Sequence, residues 1–346
     1  MLILNEQALR EALTMAEVID AVEHGFLALA RGALRVPDRL RLNLPGGVLL
    51  EMPAAEIEPP ANSGNPQSGG PRKGTPVQAH SGQRALGTKI VSVFEGNASL
   101  GLAVVQSLYV LLDGSTGVPL ALMEGRFITG IRTAAVSALA TKHMLPPGPQ
   151  RLAVFGAGTQ AAFHVEAMLA VTPLERVSIT SRTVDRARSL VETVSSSYGL
   201  DCGVSSPEHA VAEATIICTC TTSAVPLFAG NLLNSGTHIN AVGAFAPGTR
   251  ELDSETIRRA RVFIDERSAA GREAGEILTP VMEGVISYGH IKGTLAEVVA
   301  GEVPGRVADT DVTVFKSCGL ALEDLFTARL AYEVATQKGL GASVDL

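Results

Sequence analysis

LAVFGAGTQA, residues 152–161, is the stretch whose reading decides the fold. Four apolar residues, Leu152 to Phe155, run as a strand into Gly156-Ala157-Gly158-Thr159-Gln160-Ala161, the GxGxxA spacing that carries a strand into a helix over a dinucleotide pyrophosphate. Gly156 permits the tight turn, Gly158 lets the main chain approach the anion, and Ala161 lets the helix settle on its strand. The amino end of that helix then offers N–H groups to the phosphates. A plain strand-turn-helix corner of small residues is the competing reading, and the pattern on either side tells against it.

Downstream, short apolar runs alternate with helical stretches: VSIT (177–180), a helix near 183–197, a strand near Cys202 to Ser205, then TIICTCT (215–221), THINAV (237–242) and RVFID (261–265). This alternation predicts an α/β domain, a Rossmann doubly wound parallel sheet with helices on both faces. The last helix, about Gly319 to Lys338, carries an apolar face of Leu322, Leu325, Phe326 and Leu330. A dinucleotide fold is complete without it, so it is expected to return to the first domain.

Upstream, Thr14 and Glu17 form a capping box, and Val18, Ile19, Val22, Phe26 and Leu29 keep helical spacing until Gly32. VLLEM (48–52), LGTKIVSVF (86–94), SLYVLL (107–112) and VPLALME (118–124) read as a mostly antiparallel sheet, the last two strands joined by the hairpin loop DGSTG. Residues 55–80 turn to Pro, Gly, Ser, Asn and Gln, which bury no face and predict a long mobile surface loop. A helix from about Thr129 ends at Pro146, Pro147 and Gly148, a segment that reads as a boundary. The predicted organisation is a smaller α+β domain over 1–130, the nucleotide-binding domain over 131–316, and a returning helix in 317–346.

Composition narrows the function class. The 346 residues are 46 % hydrophobic and 18 % charged, which excludes a disordered chain. With 28 Lys+Arg against 35 Asp+Glu the net charge is −7, so no basic field exists for nucleic acid or anionic lipid. The longest apolar stretch, Leu102 to Leu112, is broken by Gln106 and Ser107 and falls short of the roughly 20 residues that span a bilayer. No membrane or nucleic-acid partner is expected. The start, MLILNEQALREAL, carries Glu6, Arg10 and Glu11 where a secretory signal has an apolar core, and four sparse cysteines suit reduced thiols, so a cytoplasmic location is expected. Cys218 and Cys220 lack a second pair or a nearby histidine, no HExxH occurs, and no metal is expected.

A site for NAD would place an acid after the second strand to accept from the ribose 2′-OH. Here that strand ends in Ser181-Arg182-Thr183, a guanidinium and two hydroxyls, and no acid comes before Asp185. This set suits a 2′-phosphate and predicts NADPH over NADH. The alternative is that Arg182 is a solvated loop residue.

Three cations raise a second expectation. Lys89 stands in LGTKIVSVF, where both strand faces read as buried, so its ammonium needs an anion: a structural carboxylate or a bound substrate. Arg132 reads as lying in the first turn of its helix, where the dipole disfavours a cation. Arg39 alternates with Arg41 in VPDRLRLNL, as on a surface strand. Together they make a carboxylate-bearing ligand plausible. Phe245, in the loop of HINAVGAFAPG (238–248) at the carboxyl edge of the sheet, stands where a substrate would lie.

LGTKIV, GIRTAAVSALATKHM, VFGAGTQA, HINAVGA and TVFKSCGLALEDL, in this order, resemble the ornithine cyclodeaminase/mu-crystallin family over nearly the whole chain outside the 55–80 loop. The resemblance implies a homodimer, with residues 1–130 as substrate-binding and dimerisation domain and the active site between that domain and the Rossmann domain. It implies that Arg39, Lys89 and Arg132 grip a substrate carboxylate. The expected nucleotide-binding set is Gly156, Ala157, Gly158, Thr159, Gln160, Ser181, Arg182, Thr183, Thr219, Val242, Gly243 and Ser317. Phe245 replaces the Asp that handles the substrate amine in the cyclodeaminase branch, and Ser-Arg-Thr is similar to the NADPH-using mu-crystallin branch.

The resulting expectation is an NAD(P)H-dependent reductase of cyclic α-imino acids, of the pyrroline-2-carboxylate or piperideine-2-carboxylate type. The alternatives are an amino-acid or N-alkylamino-acid dehydrogenase, an ornithine cyclodeaminase, and a non-catalytic NADPH-dependent ligand binder.

Overall fold

The computed structural model describes residues 1–58, 84–244 and 246–345. Most of the predicted 55–80 loop, and Phe245, lie outside the described residues. The chain divides into two compact units: Met1–Leu13 with Leu27–Ile128 and Asp324–Leu346, and Thr14–Phe26 with Thr129–Glu323.

The first part of the chain runs β1 (Leu2–Leu4), α1 (Glu6–Ala12), α2 (Met15–Ala30), β2 (Leu34–Arg35), β3 (Leu40–Leu44), β4 (Gly47–Glu56), β5 (Ala85–Phe94), β6 (Val105–Asp113), β7 (Pro119–Glu124) and α3 (Gly125–Met144). The capping box that starts α2 is present: Thr14 N and Oγ1 donate to the Glu17 carboxylate, and Glu17 N donates back to Thr14 Oγ1. Its apolar side buries Val18, Ile19, Val22 and Phe26, each worth roughly 1.5–3 kcal/mol. Gly32, at φ 69, turns the chain out of the helix. Thr14–Phe26 groups with the second unit rather than with the rest of 1–130, and there Glu23 accepts from Lys142 Nζ at 2.7 Å.

The sheet of the first unit runs β1-β7-β6-β5-β4-β2, with β3 also on β4; all these pairs are antiparallel except β1–β7. Register sets Met52, Lys89, Tyr109 and Met123 in one row on its covered face, all buried. The opposite row holds Leu40, Glu51, Ile90 and Leu108. The expectation that both faces of the Lys89 strand are buried is corrected here: Ile90 is 40 % exposed and Leu108 49 %. An apolar run alone does not separate a strand covered on two faces from one that presents apolar side chains to solvent.

A second correction concerns α3. It begins at Gly125, one turn before the predicted start, because Glu124 Oε2 accepts from Phe127 N at 2.7 Å and caps it. A Cβ on Gly125 would sit 2.3 Å from Ser107 Oγ, so the close approach of the helix start to β6 requires glycine. Arg132 is therefore in the third turn, away from the positive end of the helix. The two-unit division crosses α3 between Ile128 and Thr129, not at Pro146–Gly148.

The second unit continues with β8 (Gln150–Phe155), α4 (Thr159–Val171), β9 (Leu174–Thr180), α5 (Val184–Tyr198), β10 (Cys202–Val204), α6 (Pro207–Glu213), β11 (Ile216–Thr219), β12 (His238–Ala241), α7 (Ser254–Arg259), β13 (Arg261–Ile264), α8 (Arg267–Glu273), α9 (Gly275–Met282), β14 (Ile291–Thr294), α10 (Leu295–Val299) and β15 (Thr313–Lys316). Its strands order β10-β9-β8-β11-β12-β15-β13-β14, all parallel. This is a Rossmann-type doubly wound sheet whose order reverses between β8 and β11, where such folds bind ligands. β15, fully buried between β12 and β13, comes from the TVFK segment, and β14 from IKGT; the sequence pattern alone had indicated neither as a strand. No described helix is long and apolar enough to cross a membrane.

The chain closes with α11 (Ala321–Lys338) and β16 (Ala342–Ser343), the latter pairing antiparallel with β1. From Asp324 onward this segment is part of the first unit, and Arg329 Nη1 binds both oxygens of Glu56 at 2.9 and 2.8 Å.

Candidate functional site

At the carboxyl ends of β8, β9 and β11 the second unit holds a cavity of about 570 Å³. Gly156 turns the chain at φ 113, and a Cβ there would lie 2.6 Å from the Cys220 carbonyl oxygen, so only glycine fits. Its N–H donates to Thr180 O at 2.8 Å and ties the end of β8 to the end of β9. Gly158 is the N-cap of α4 with no side-chain cap, and a Cβ on it would meet no atom within 4 Å. Such a methyl would fill cavity space, so the glycine keeps a cradle open beneath the uncapped helix end. No acid stands in the first turn of α4 to repel an anion. These residues fit a nucleotide pyrophosphate.

Of the predicted nucleotide-binding set, Gly156, Ala157, Gly158, Ser181, Arg182 and Thr183 line this cavity. Sequence reasoning missed Arg186, Ser205 and the run Cys220 to Ser223, which also line it. Thr159, Gln160, Thr219, Val242, Gly243 and Ser317 do not. Gln160 instead turns its side-chain amide toward Thr129 O at 3.5 Å, and its main-chain carbonyl accepts from His164 Nδ1 at 2.7 Å.

Thr219 and Gly243 are held by a buried carboxylate. Thr219 Oγ1, Thr221 N, Thr221 Oγ1 and Gly243 N all donate to Glu251 at 2.7 Å. Burial pushes the Glu251 carboxyl up, against these donors and the charge of Lys316. A Cβ on Gly243 would come within 2.0 Å of Thr221 O, so this glycine serves loop packing. Lys316 Nζ in turn donates to Ala241 O at 3.2 Å and to Ala244 O, and lies 3.6 Å from Glu276 Oε2. Burial works against its charge, yet Glu276, then Cys318, Glu251 and Asp265, hold its pKa above the ordinary lysine value. Asp265 accepts from the N–H groups of Glu266, Cys318 and Gly319. The available signal for this network was Lys316 itself, a charge inside an apolar strand.

In the first unit Lys89 is 2 % exposed and its Nζ donates to Asp324 Oδ1 and Oδ2 at 3.0 and 2.8 Å. Beside it in the row, the Tyr109 phenol is buried and makes no hydrogen bond among the described residues. Burial and then the Asp324 charge raise its pKa well above the ordinary value, so it stays neutral. In the second unit the Arg132 guanidinium is buried against the Glu323 carboxylate, with Gly319 so close that a Cβ would lie 2.9 Å from Nη1. Glu323 Oε1 also accepts from Leu320 N at 2.9 Å. Consecutive carboxylates, Glu323 and Asp324, thus each answer one buried cation. Arg39 is half-buried just before β3.

Residues 74–339 match the Ornithine cyclodeaminase/mu-crystallin family. The chain belongs to this family. Within it, ketimine reductase mu-crystallin of Mus musculus is 40 % identical over 249 residues, 72 % of this chain and 76 % of the relative. The solved Delta(1)-pyrroline-2-carboxylate reductase of Thermococcus litoralis, in complex with NADH and L-proline, is 36 % identical with a TM-score of 0.89, covering 99 % of this chain and 100 % of that one. An archaeal alanine dehydrogenase dimer with bound NAD is 30 % identical with a TM-score of 0.88, covering 100 % and 99 %.

Proposed function

We propose that this member of the ornithine cyclodeaminase/mu-crystallin family is an NAD(P)H-dependent oxidoreductase that reduces the C=N bond of cyclic α-imino acids, of the pyrroline-2-carboxylate or piperideine-2-carboxylate type. The observation that carries the reading is the glycine-built nucleotide cavity at the β8–β11 switch point, in a family that includes a ketimine reductase and a pyrroline-2-carboxylate reductase. A nicotinamide nucleotide held in this cavity would supply hydride chemistry for the reduction of the imine carbon.

Gly156 and Gly158 admit the pyrophosphate, and the amino end of α4 holds its charge. Ser181, Arg182 and Thr183 stand where an NAD site keeps an acid, which supports NADPH as the preferred cofactor. Lys89, Arg132 and Arg39 take the substrate carboxylate, a role of positioning the reactive carbon. Since Asp324 and Glu323 already answer Lys89 and Arg132, the substrate shares these cations with protein carboxylates and does not complete an unmatched charge. Phe245 is assigned to the substrate pocket from its place in the sequence alone.

We also propose a homodimer. Leu40, Leu42, Leu44, Ile90 and Leu108 form an exposed apolar area on one sheet face of the first unit, and a second copy of the chain is its proposed cover.

The test is a substrate screen that follows NADPH consumption with pyrroline-2-carboxylate, piperideine-2-carboxylate and pyruvate plus ammonia, alongside ammonia release from ornithine with NAD. Turnover of the cyclic imines and no ammonia from ornithine is expected. Faster turnover of pyruvate with ammonia would move the assignment to an amino-acid dehydrogenase, and NADPH binding with no turnover would leave a ligand binder.

A further inference from the structure

The cavity carries a second cation that the sequence reading did not use. Arg186 stands four residues after Arg182, in the first turn of α5, and both side chains line the cavity wall with Ser181 and Thr183. Neither guanidinium makes a hydrogen bond or ion pair with any described residue. The neighbouring charges are disposed differently: Asp185 pairs with Arg188 at 3.4 Å, and neither of those two lines the cavity. Of the four charged residues between 182 and 188, the two that face the cavity are therefore both cations. Thr183, the N-cap of α5, makes no side-chain cap, so the first N–H groups of that helix are also not taken by it.

We propose that Arg186 is a second residue that reads the 2′-phosphate of NADPH, acting with Arg182 as a pair. The inference rests on the NADPH reading above and deepens it. A phosphate monoester carries about −1.5 to −2 charge at neutral pH, and one guanidinium balances only about half of that. Two guanidiniums on one wall match the dianion, and each adds charge-assisted hydrogen bonds that a 2′-hydroxyl cannot return in kind. In this arrangement Arg186 adds nothing to the binding of the pyrophosphate or the adenine.

The experiment is calorimetric titration of the whole protein with 2′,5′-ADP and with 5′-ADP, for the wild type, Arg186→Gln, Arg182→Gln and Arg188→Gln. The wild type is expected to favour 2′,5′-ADP by about 100-fold, and Arg186→Gln to lose about 10-fold for 2′,5′-ADP and under about twofold for 5′-ADP. Arg188→Gln should match the wild type. If the wild type binds both nucleotides equally, the NADPH reading itself falls and takes this inference with it. If the wild type prefers 2′,5′-ADP and Arg186→Gln keeps the full preference, the NADPH reading stands and the role of Arg186 is overturned. Equal weakening of both nucleotides in Arg186→Gln would assign the residue to the part they share, and overturns it as well. Because Arg186 is exposed, an unchanged Tm should accompany all three variants.

Discussion

Lys89 and Lys316 pose the same question in two regions of the molecule: each is a buried ammonium in an apolar strand. Lys89, on an antiparallel sheet, donates to both oxygens of the Asp324 carboxylate. Lys316, at the end of a central parallel strand, donates to the main-chain carbonyls of Ala241 and Ala244 beside Glu276. A charge answered by a side-chain carboxylate can be exchanged together with that carboxylate. A charge that also satisfies main-chain carbonyls cannot, because those acceptors stay buried whatever replaces the lysine. The first arrangement leaves a cation available for function, whereas the second fixes the loop after β12 in place.

The largest effect should come from Lys316→Met. Losing this cation strips two carbonyls of their donor and Glu276 of a nearby positive charge, and the cost is expected at about 3–5 kcal/mol, read as a lowered Tm and poor yield of folded protein. Adding Glu276→Gln should recover little. Full recovery in that double variant would erase the distinction drawn between the two lysines.

Next in size, Lys89→Met should abolish most turnover of α-imino acids and cost about 3 kcal/mol, since it removes the cation bound to the buried Asp324 carboxylate. Lys89→Met with Asp324→Leu should regain most of that stability in urea unfolding while turnover stays lost. Wild-type kcat/KM in the double variant would make Lys89 as structural as Lys316.

Acid sharpens the contrast further, because the described first unit has no histidine while the second buries two. Burial, partly offset by the Gln160 carbonyl, lowers the His164 pKa to about 4. Burial and then the charge of Arg306 lower that of His238 to about 3. Both folded values lie below the unfolded value near 6.5, so the native state binds fewer protons. Their stabilisation is complete above about pH 6.5 and is lost as the pH falls toward 4 and then 3. Unfolding free energy should drop by about 2 kcal/mol per histidine between pH 6.5 and 4.5, and His164→Asn should flatten part of that slope. An unchanged slope in His164→Asn would show that this ring is not held neutral by burial.

The smallest effect belongs to an exposed cation. Arg182→Ala should leave Tm within about 1 °C and reduce the preference for NADPH over NADH by about 10-fold, measured as the ratio of Kd values. A loss of stability comparable to that of Lys89→Met would place Arg182 among the structural cations.

The sequence made the parallel sheet legible because strand-helix alternation and GAGTQA are local patterns, and local patterns need no partner to be read. Ser181 to Thr183 were legible for the same reason, being one residue step past a strand that the pattern had located. Arg186 was missed because a cation in a helical stretch reads as solvated until the cavity wall shows which way it faces. Arg132 was misplaced because the true cap of α3, Glu124, belongs to the end of a strand, and a carboxylate there carries no signal until the turn is formed. Thr219 and Gly243 belong to the expected nucleotide-binding set but do not line the cavity. Their groups go to Glu251, 32 and 8 residues away.

The sequence by itself determined the fold class, the glycine turn at the nucleotide cavity, the absence of a general basic field, and the presence of cations that needed anions. Only the tertiary structure decided which anions these are. Asp324 lies 235 residues from Lys89 and Glu323 lies 191 from Arg132. Helical and strand periodicities repeat every few residues and report on the solvent side of a single element. An ion pair between distant elements depends on the path of the whole chain, and its partner leaves no periodic trace in the sequence.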